Sequence, residues 1–221
     1  MSTTNITPTQ YSLSLRGYQS SIETCRQQFR IVNNETTAFG ATPGAFMGNQ
    51  AGPERYTPTA YTIYNTWAKV ELKKLSALNR DRKLGGMVTS PKSFDAWHES
   101  LLVSLHEAWV AQAHSEFSLK RRQSQKLVNL FIKWLRIKSL PPEFRNAIEQ
   151  WGHTTLSSPT MERIGGLLQD NTLAFPPEEQ FDDWYRTTQE RLREFTKENG
   201  GSPILVDIYC RRESLGDPDE D

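Results

Sequence analysis

An all-α fold is the class this sequence predicts, and three observations predict it. Apolar side chains recur at three- and four-residue intervals in the stretches long enough to hold a helix. Prolines, Asn33-Asn34 and Asn199-Gly200 punctuate those stretches, and just one short run alternates in the manner of a strand. At 221 residues the chain is long enough to bury a sizeable core, and a 10% aromatic content with six Trp marks a folded chain. The expectation is one domain over residues 1–212, with about seven helices.

From Pro8 to about Val32, Tyr11, Leu15, Tyr18, Ile22, Cys25 and Phe29 mark one helical face, and Asn33-Asn34 stops it. Gly40, Gly44, Gly48 and Gly52, with Pro43 and Pro53, cannot hold a helix, so residues 38–55 read as a flexible loop, either linker or lid. Thr57-Pro58 is a capping pair for a second helix reaching about Asn79, with Tyr61, Tyr64, Ala68, Leu72 and Leu75 along it. Ser93 caps a third helix that buries Phe94, Trp97, Leu101, Leu105, Ala108 and Trp109, and Ser118 caps a fourth that runs to about Lys138. Pro141-Pro142, Ser158-Pro159 and Pro176-Pro177 open the fifth, sixth and seventh, the last ending at Asn199-Gly200-Gly201. Between Ser202 and Arg212, Ile204, Val206 and Ile208 alternate like a strand, yet Ser202-Pro203 is a helix start and a lone strand would have no partner. A short helix or an extended segment packed on the core is expected there. The acidic tail, residues 213–221, reads as disordered.

Several classes are set aside by composition. No apolar run is long enough to cross a bilayer, and the first twenty residues lack the apolar stretch of a signal peptide, so a cytoplasmic protein with no membrane contact is expected. Cys25 and Cys210 lack the spacing of a zinc site, and neither GxSxG, GxxxxGK[ST] nor GxGxxG occurs. His98, His106 and His114 stand eight residues apart, drift around a helix, and read as surface or cap residues rather than metal ligands. His153, just past a short helix, reads as a partner of that helix's negative end. Neither a metal nor a cofactor is expected.

A net charge of zero hides an asymmetry: residues 1–55 carry +1, residues 56–146 carry +8 and residues 147–221 carry −9. No acidic residue falls between Glu116 and Glu143, whereas Lys120, Arg121, Arg122, Lys126, Lys133, Arg136 and Lys138 do. On a helix, Arg122, Lys126, Asn129, Lys133 and Arg136 line up as one polar stripe, and Leu127, Phe131, Trp134 and Leu135 turn away from it. An exposed basic stripe suits phosphates, so an anionic partner such as nucleic acid is expected from it, without a sign of which. An ordinary solvated face, or one that neighbours the acidic final third, accounts for the same pattern.

The run SQKLVNLFIKWL, residues 124–135, followed by HTTLSSPTMERI, residues 153–164, resembles the helix-hairpin-helix superfamily of DNA glycosylases, the archaeal 8-oxoguanine glycosylases above all. The likeness covers about 40 of the 221 residues. It implies a lysine nucleophile near the start of a helix, which attacks the sugar C1′, and an assisting aspartate at the head of a later helix. Lys126 occupies the lysine position. Ser157 occupies the aspartate position, a departure that leaves the carboxylate to another residue, with Asp207 and Asp170 as candidates, and the family's Gly-rich hairpin is not recognisable. An amine becomes a nucleophile when desolvation or nearby cations favour its neutral form, and Arg122 and Lys133 lie one and two turns away from Lys126. Extruding a base also needs stacking aromatics, for which Trp134, Trp151 and Trp184 are candidates.

The function expected is therefore base excision on DNA, by cleavage of the N-glycosidic bond of a modified base. Lys126, Ser157 and Asp207 would stand at the reaction centre, and Lys120, Arg121, Arg122, Asn129, Lys133 and Arg136 on the DNA backbone. The alternative is a non-catalytic helical module that binds nucleic acid or an acidic protein through the basic face of residues 120–138. Self-association through the first helix is a third possibility, its regular seam being as suited to a core.

Overall fold

A computed structural model describes residues 8–31, 39, 58–113, 118–136 and 138–212, and among them the chain is all-helical. Eight α-helices follow in order: α1 Pro8–Ile31, α2 Ala60–Arg80, α3 Pro91–Gln112, α4 Arg121–Leu135, α5 Pro142–Trp151, α6 Ser158–Leu167, α7 Phe181–Asn199 and α8 Pro203–Arg212. Contacts gather the chain into two compact units, one holding residues 1–31 and 153–221, the other residues 32–152. The loop expected at 38–55 lies outside the described residues except for Phe39, as does the acidic tail.

Helix starts follow side-chain chemistry, in places a few residues from where the sequence suggests. The cap of α2 is Thr59 rather than Thr57, since the Thr59 hydroxyl accepts the amide N–H of Thr62 at 3.2 Å. For α3 the cap is Ser90, with Pro91 in the first turn; Ser93 instead completes a reciprocal box, its hydroxyl accepting the Ser90 amide while the Ser90 hydroxyl accepts the Ser93 amide. Ser118 does not cap α4. The helix begins at Arg121, where the Gln123 side chain accepts the Lys120 amide at 3.1 Å.

In the unit of residues 32–152, α3 packs against α2, α4 and α5. Trp67 meets Phe131 at 5.0 Å between ring centres and Trp97 meets Phe144 at 5.3 Å, so aromatic edges join α2 to α4 and α3 to α5. A polar thread ties α2 to α3. The Trp67 indole donates to the Ser104 hydroxyl, which donates to the buried Glu71 carboxylate, and Lys74 closes the thread with an ion pair at 2.7 Å.

In the other unit α1 lies against α6 and α8, and α6 and α7 also pack on α8. Tyr18 and Cys25 of the α1 seam are buried there with Ile164, Leu192, Phe195, Val206 and Tyr209, which gives that seam an intramolecular partner. The segment Pro203–Arg212 is helical: Leu205 and Val206 are buried along with Ile204, so the apolar residues fill a core on several sides of a short helix rather than one face of a strand. Between α5 and α6, the buried run 153–156 has no strand partner among the described residues. The Gln189 side-chain amide substitutes for one, accepting the Thr154 N–H at 3.0 Å and donating to the Thr154 carbonyl at 2.8 Å.

Candidate functional site

The polar row on α4 is built differently from an open basic stripe. Asn129 is 2% exposed and Lys133 7%, and with Ser124 and Gln125 they place polar side chains on the enclosed part of the helix. The structure corrects the expected solvent stripe at these positions, because α4 is enclosed on more than its apolar side and charge alone does not set exposure. Asn129 is held by His98 of α3, whose Nε2 lies 2.9 Å from the Asn129 side-chain oxygen. His98 is accordingly a buried hydrogen-bonding residue, not a surface or cap histidine; His106 is exposed, and His114 lies outside the described residues.

The arginines flanking this row are engaged. Arg121 donates to both carboxylate oxygens of Glu99 at 2.8 Å, and Arg136 donates from Nε to Glu149 at 2.9 Å and is paired through Nη2 with the same oxygen. Lys138 lies over the Trp134 ring at 4.1 Å. Trp134 itself is buried, against Phe39 at 4.9 Å and Phe131 at 6.1 Å, which makes it a packing residue in this unit. The Phe39 carbonyl is fixed by a 2.7 Å hydrogen bond from the Tyr64 hydroxyl. Lys120 is exposed, while Arg122 and Lys126 are half-buried on the first two turns of α4.

Lys126 belongs to the unit of residues 32–152; Ser157 and Asp207 belong to the other. Ser157 caps α6: its hydroxyl lies 3.0 Å from that of Thr160, and its amide donates to Thr160 at 3.2 Å. The cap itself is thus Ser157, one residue before the expected Ser158. Asp207 is 1% exposed on α8. Asp170 is salt-bridged to Arg191 at 2.6 Å; partial burial pushes its carboxyl upward, but hydrogen bonds from Arg191 and Thr172 outweigh that and hold it below the ordinary range.

His153 differs from the expectation of a helix-end cation. Arg193 donates to its Nε2 at 3.0 Å, so that nitrogen is an acceptor and Nδ1 carries the proton toward the Tyr185 oxygen 3.1 Å away. Both of these partners lie on α7. Sequence spacing carried no signal for either histidine's partner, since each is more than 30 residues distant in the chain. Among the described residues no cluster of three or more His, Cys, Asp or Glu is placed to hold a metal, and no helix is long and apolar enough to cross a membrane. No family model, no curated protein and no solved structure matches this chain.

Proposed function

We propose that this all-helical chain acts on DNA as a base-excision enzyme of the lysine-nucleophile kind, with Lys126 as the attacking amine. The observation that carries the reading is the setting of Lys126. It is half-buried on α4, in the run that resembles the glycosylases, with the half-buried Arg122 on the preceding turn and the buried Lys133 two turns on. A lysine at the tip of an open stripe binds phosphate; one drawn against the protein among other cations is the kind that turns nucleophilic.

In the reaction, the neutral amine attacks C1′ of the nucleotide as the N-glycosidic bond breaks. The bonding electron pair leaves with the base, which takes up a proton that the amine loses. The ring oxygen of the sugar then departs as an alcohol after protonation by solvent, leaving a protonated imine between Lys126 and C1′. The oxidised purine is the substrate class that the resemblance suggests. Ser157 serves as a helix cap, and the proposal does not require it as an acid or base.

The test is incubation of the protein with double-stranded DNA carrying normal, oxidised and bulky modified bases, followed by mass spectrometry of released base. Release is expected, and its loss in Lys126→Ala with DNA binding mostly retained. Arg122→Ala is expected to weaken binding and flatten its dependence on salt. Salt-sensitive binding with no release would transfer the reading to a non-catalytic module using residues 120–138, and release unchanged in Lys126→Ala would remove Lys126 from the chemistry.

A further inference from the structure

We propose a second site, independent of the reading above: the groove beside the first half of α7 receives an arginine side chain from a basic segment of a partner protein. The groove has a volume of about 570 Å³, and Asp170, Thr172, Glu179, Asp183, Trp184 and Arg191 are among the residues that line it.

Its wall is a braced aromatic surface. Trp184 is half-buried, packed against Phe175 at 5.3 Å and Phe181 at 5.7 Å between ring centres, and it still lines the groove. An indole held in this way is already ordered beside the groove, where an arriving cation can stack on it.

The charges around it are unevenly committed. Arg191, the one cation of the lining, is consumed by the protein: Nη1 donates to Asp170 at 2.6 Å and Nη2 to the Leu168 carbonyl at 3.3 Å. Asp170 in turn accepts the Thr172 amide at 3.1 Å and hydroxyl at 2.8 Å, so this pair neutralises itself. Two carboxylates remain. Glu179 is exposed and forms no ion pair among the described residues. Asp183 reaches Arg186 at 2.8 Å, but the two side chains are 86% and 69% exposed, and such a screened pair exchanges readily for a better partner.

The start of α7 favours acidic residues for its own sake, because the helix dipole is positive there. That preference does not account for a concave surface, a braced indole and an uncommitted carboxylate at one place. A guanidinium is the cation whose shape answers all three: its plane stacks on an indole while its fork donates to carboxylates. A phosphate would be repelled, so this groove and the DNA reading do not compete for one ligand.

The experiment is a titration of the full chain with fluorescein-labelled hexa-arginine at low salt, followed by fluorescence anisotropy. Saturable binding is expected, weakened by about tenfold or more in Glu179→Gln/Asp183→Asn and also in Trp184→Leu. Glu190→Gln/Glu198→Gln removes the same charge from exposed positions of α7 outside the groove and is expected to change binding by no more than about twofold. Hexa-lysine is expected to bind several-fold more weakly than hexa-arginine. Absence of saturation at millimolar peptide, equal weakening by both double substitutions, or equal affinity for the two peptides would overturn the proposal. The acidic double substitution lies on the surface, so a folding failure of Trp184→Leu would leave the test intact, and no arm depends on Lys126.

Discussion

His98 of α3 and Asn129 of α4 meet in the interior, with the histidine Nε2 2.9 Å from the asparagine oxygen. Both are nearly inaccessible to water, at 3% and 2% exposure, so the bond lies where solvent does not compete for it. Asn129→Ala is expected to cost about 1–3 kcal/mol, because it removes a buried hydrogen bond together with the packing of the side chain that makes it. Urea denaturation followed by circular dichroism measures this. A loss below about 0.5 kcal/mol would place Asn129 on a surface instead.

Adjacent glycines that end α7 make a sharper comparison. Gly200 and Gly201 both hold positive φ, 86° and 83°, so a side chain at either strains the backbone. At Gly201 an added Cβ would also stand 2.5 Å from Ile22 Cδ1 and 2.6 Å from the Tyr18 hydroxyl oxygen, whereas at Gly200 it meets open space. Gly200→Ala is expected to cost about 1–2 kcal/mol and Gly201→Ala visibly more, the order being read from thermal unfolding midpoints. The reverse order would contradict the close packing of α1 on this turn.

Stability should fall at both ends of the pH scale for separable reasons. The Asp170 carboxyl is held below its usual 3.8 in the folded chain, so its contribution is present above that value and is lost as pH falls through the lower folded one. Arg191→Gln should flatten the acid limb of a plot of unfolding midpoint against pH, modestly, because Arg191 is 36% exposed. At the alkaline end, burial pushes the Tyr18 phenol upward from its usual 10.0, reinforced by Cys25 and Cys210, and Arg26 opposes this more weakly. The folded chain therefore keeps that proton where the unfolded chain loses it, and stability declines as pH rises above 10.0. Tyr18→Phe should remove this share of the decline at the cost of the 2.9 Å hydrogen bond to the Gly200 carbonyl.

The helices were legible in the sequence because their punctuation is local: Pro142 opens α5, Pro203 opens α8, and Gly200 closes α7 with a conformation that glycine adopts most readily. Caps slipped by two or three residues at α2 and α3, where neighbouring hydroxyls competed for the same role and a hydrogen bond decided between them. The face of α4 was less legible. Charged and polar side chains at helical spacing look alike whether they meet water or a partner helix, and what distinguishes Asn129 and Lys133 is the enclosure of α4. Partnerships such as Arg193 with His153, or Gln189 with Thr154, span 35 residues or more of sequence and are set by the fold alone.

The proposed covalent imine between Lys126 and DNA is tested most directly by borohydride reduction. The protein is mixed with a duplex carrying 8-oxoguanine, reduced, digested and mapped by mass spectrometry. A reduced adduct on Lys126, absent in Lys126→Ala and absent on undamaged duplex, is the predicted result. No adduct under conditions where the protein binds the duplex, or an adduct that persists in Lys126→Ala, would contradict it.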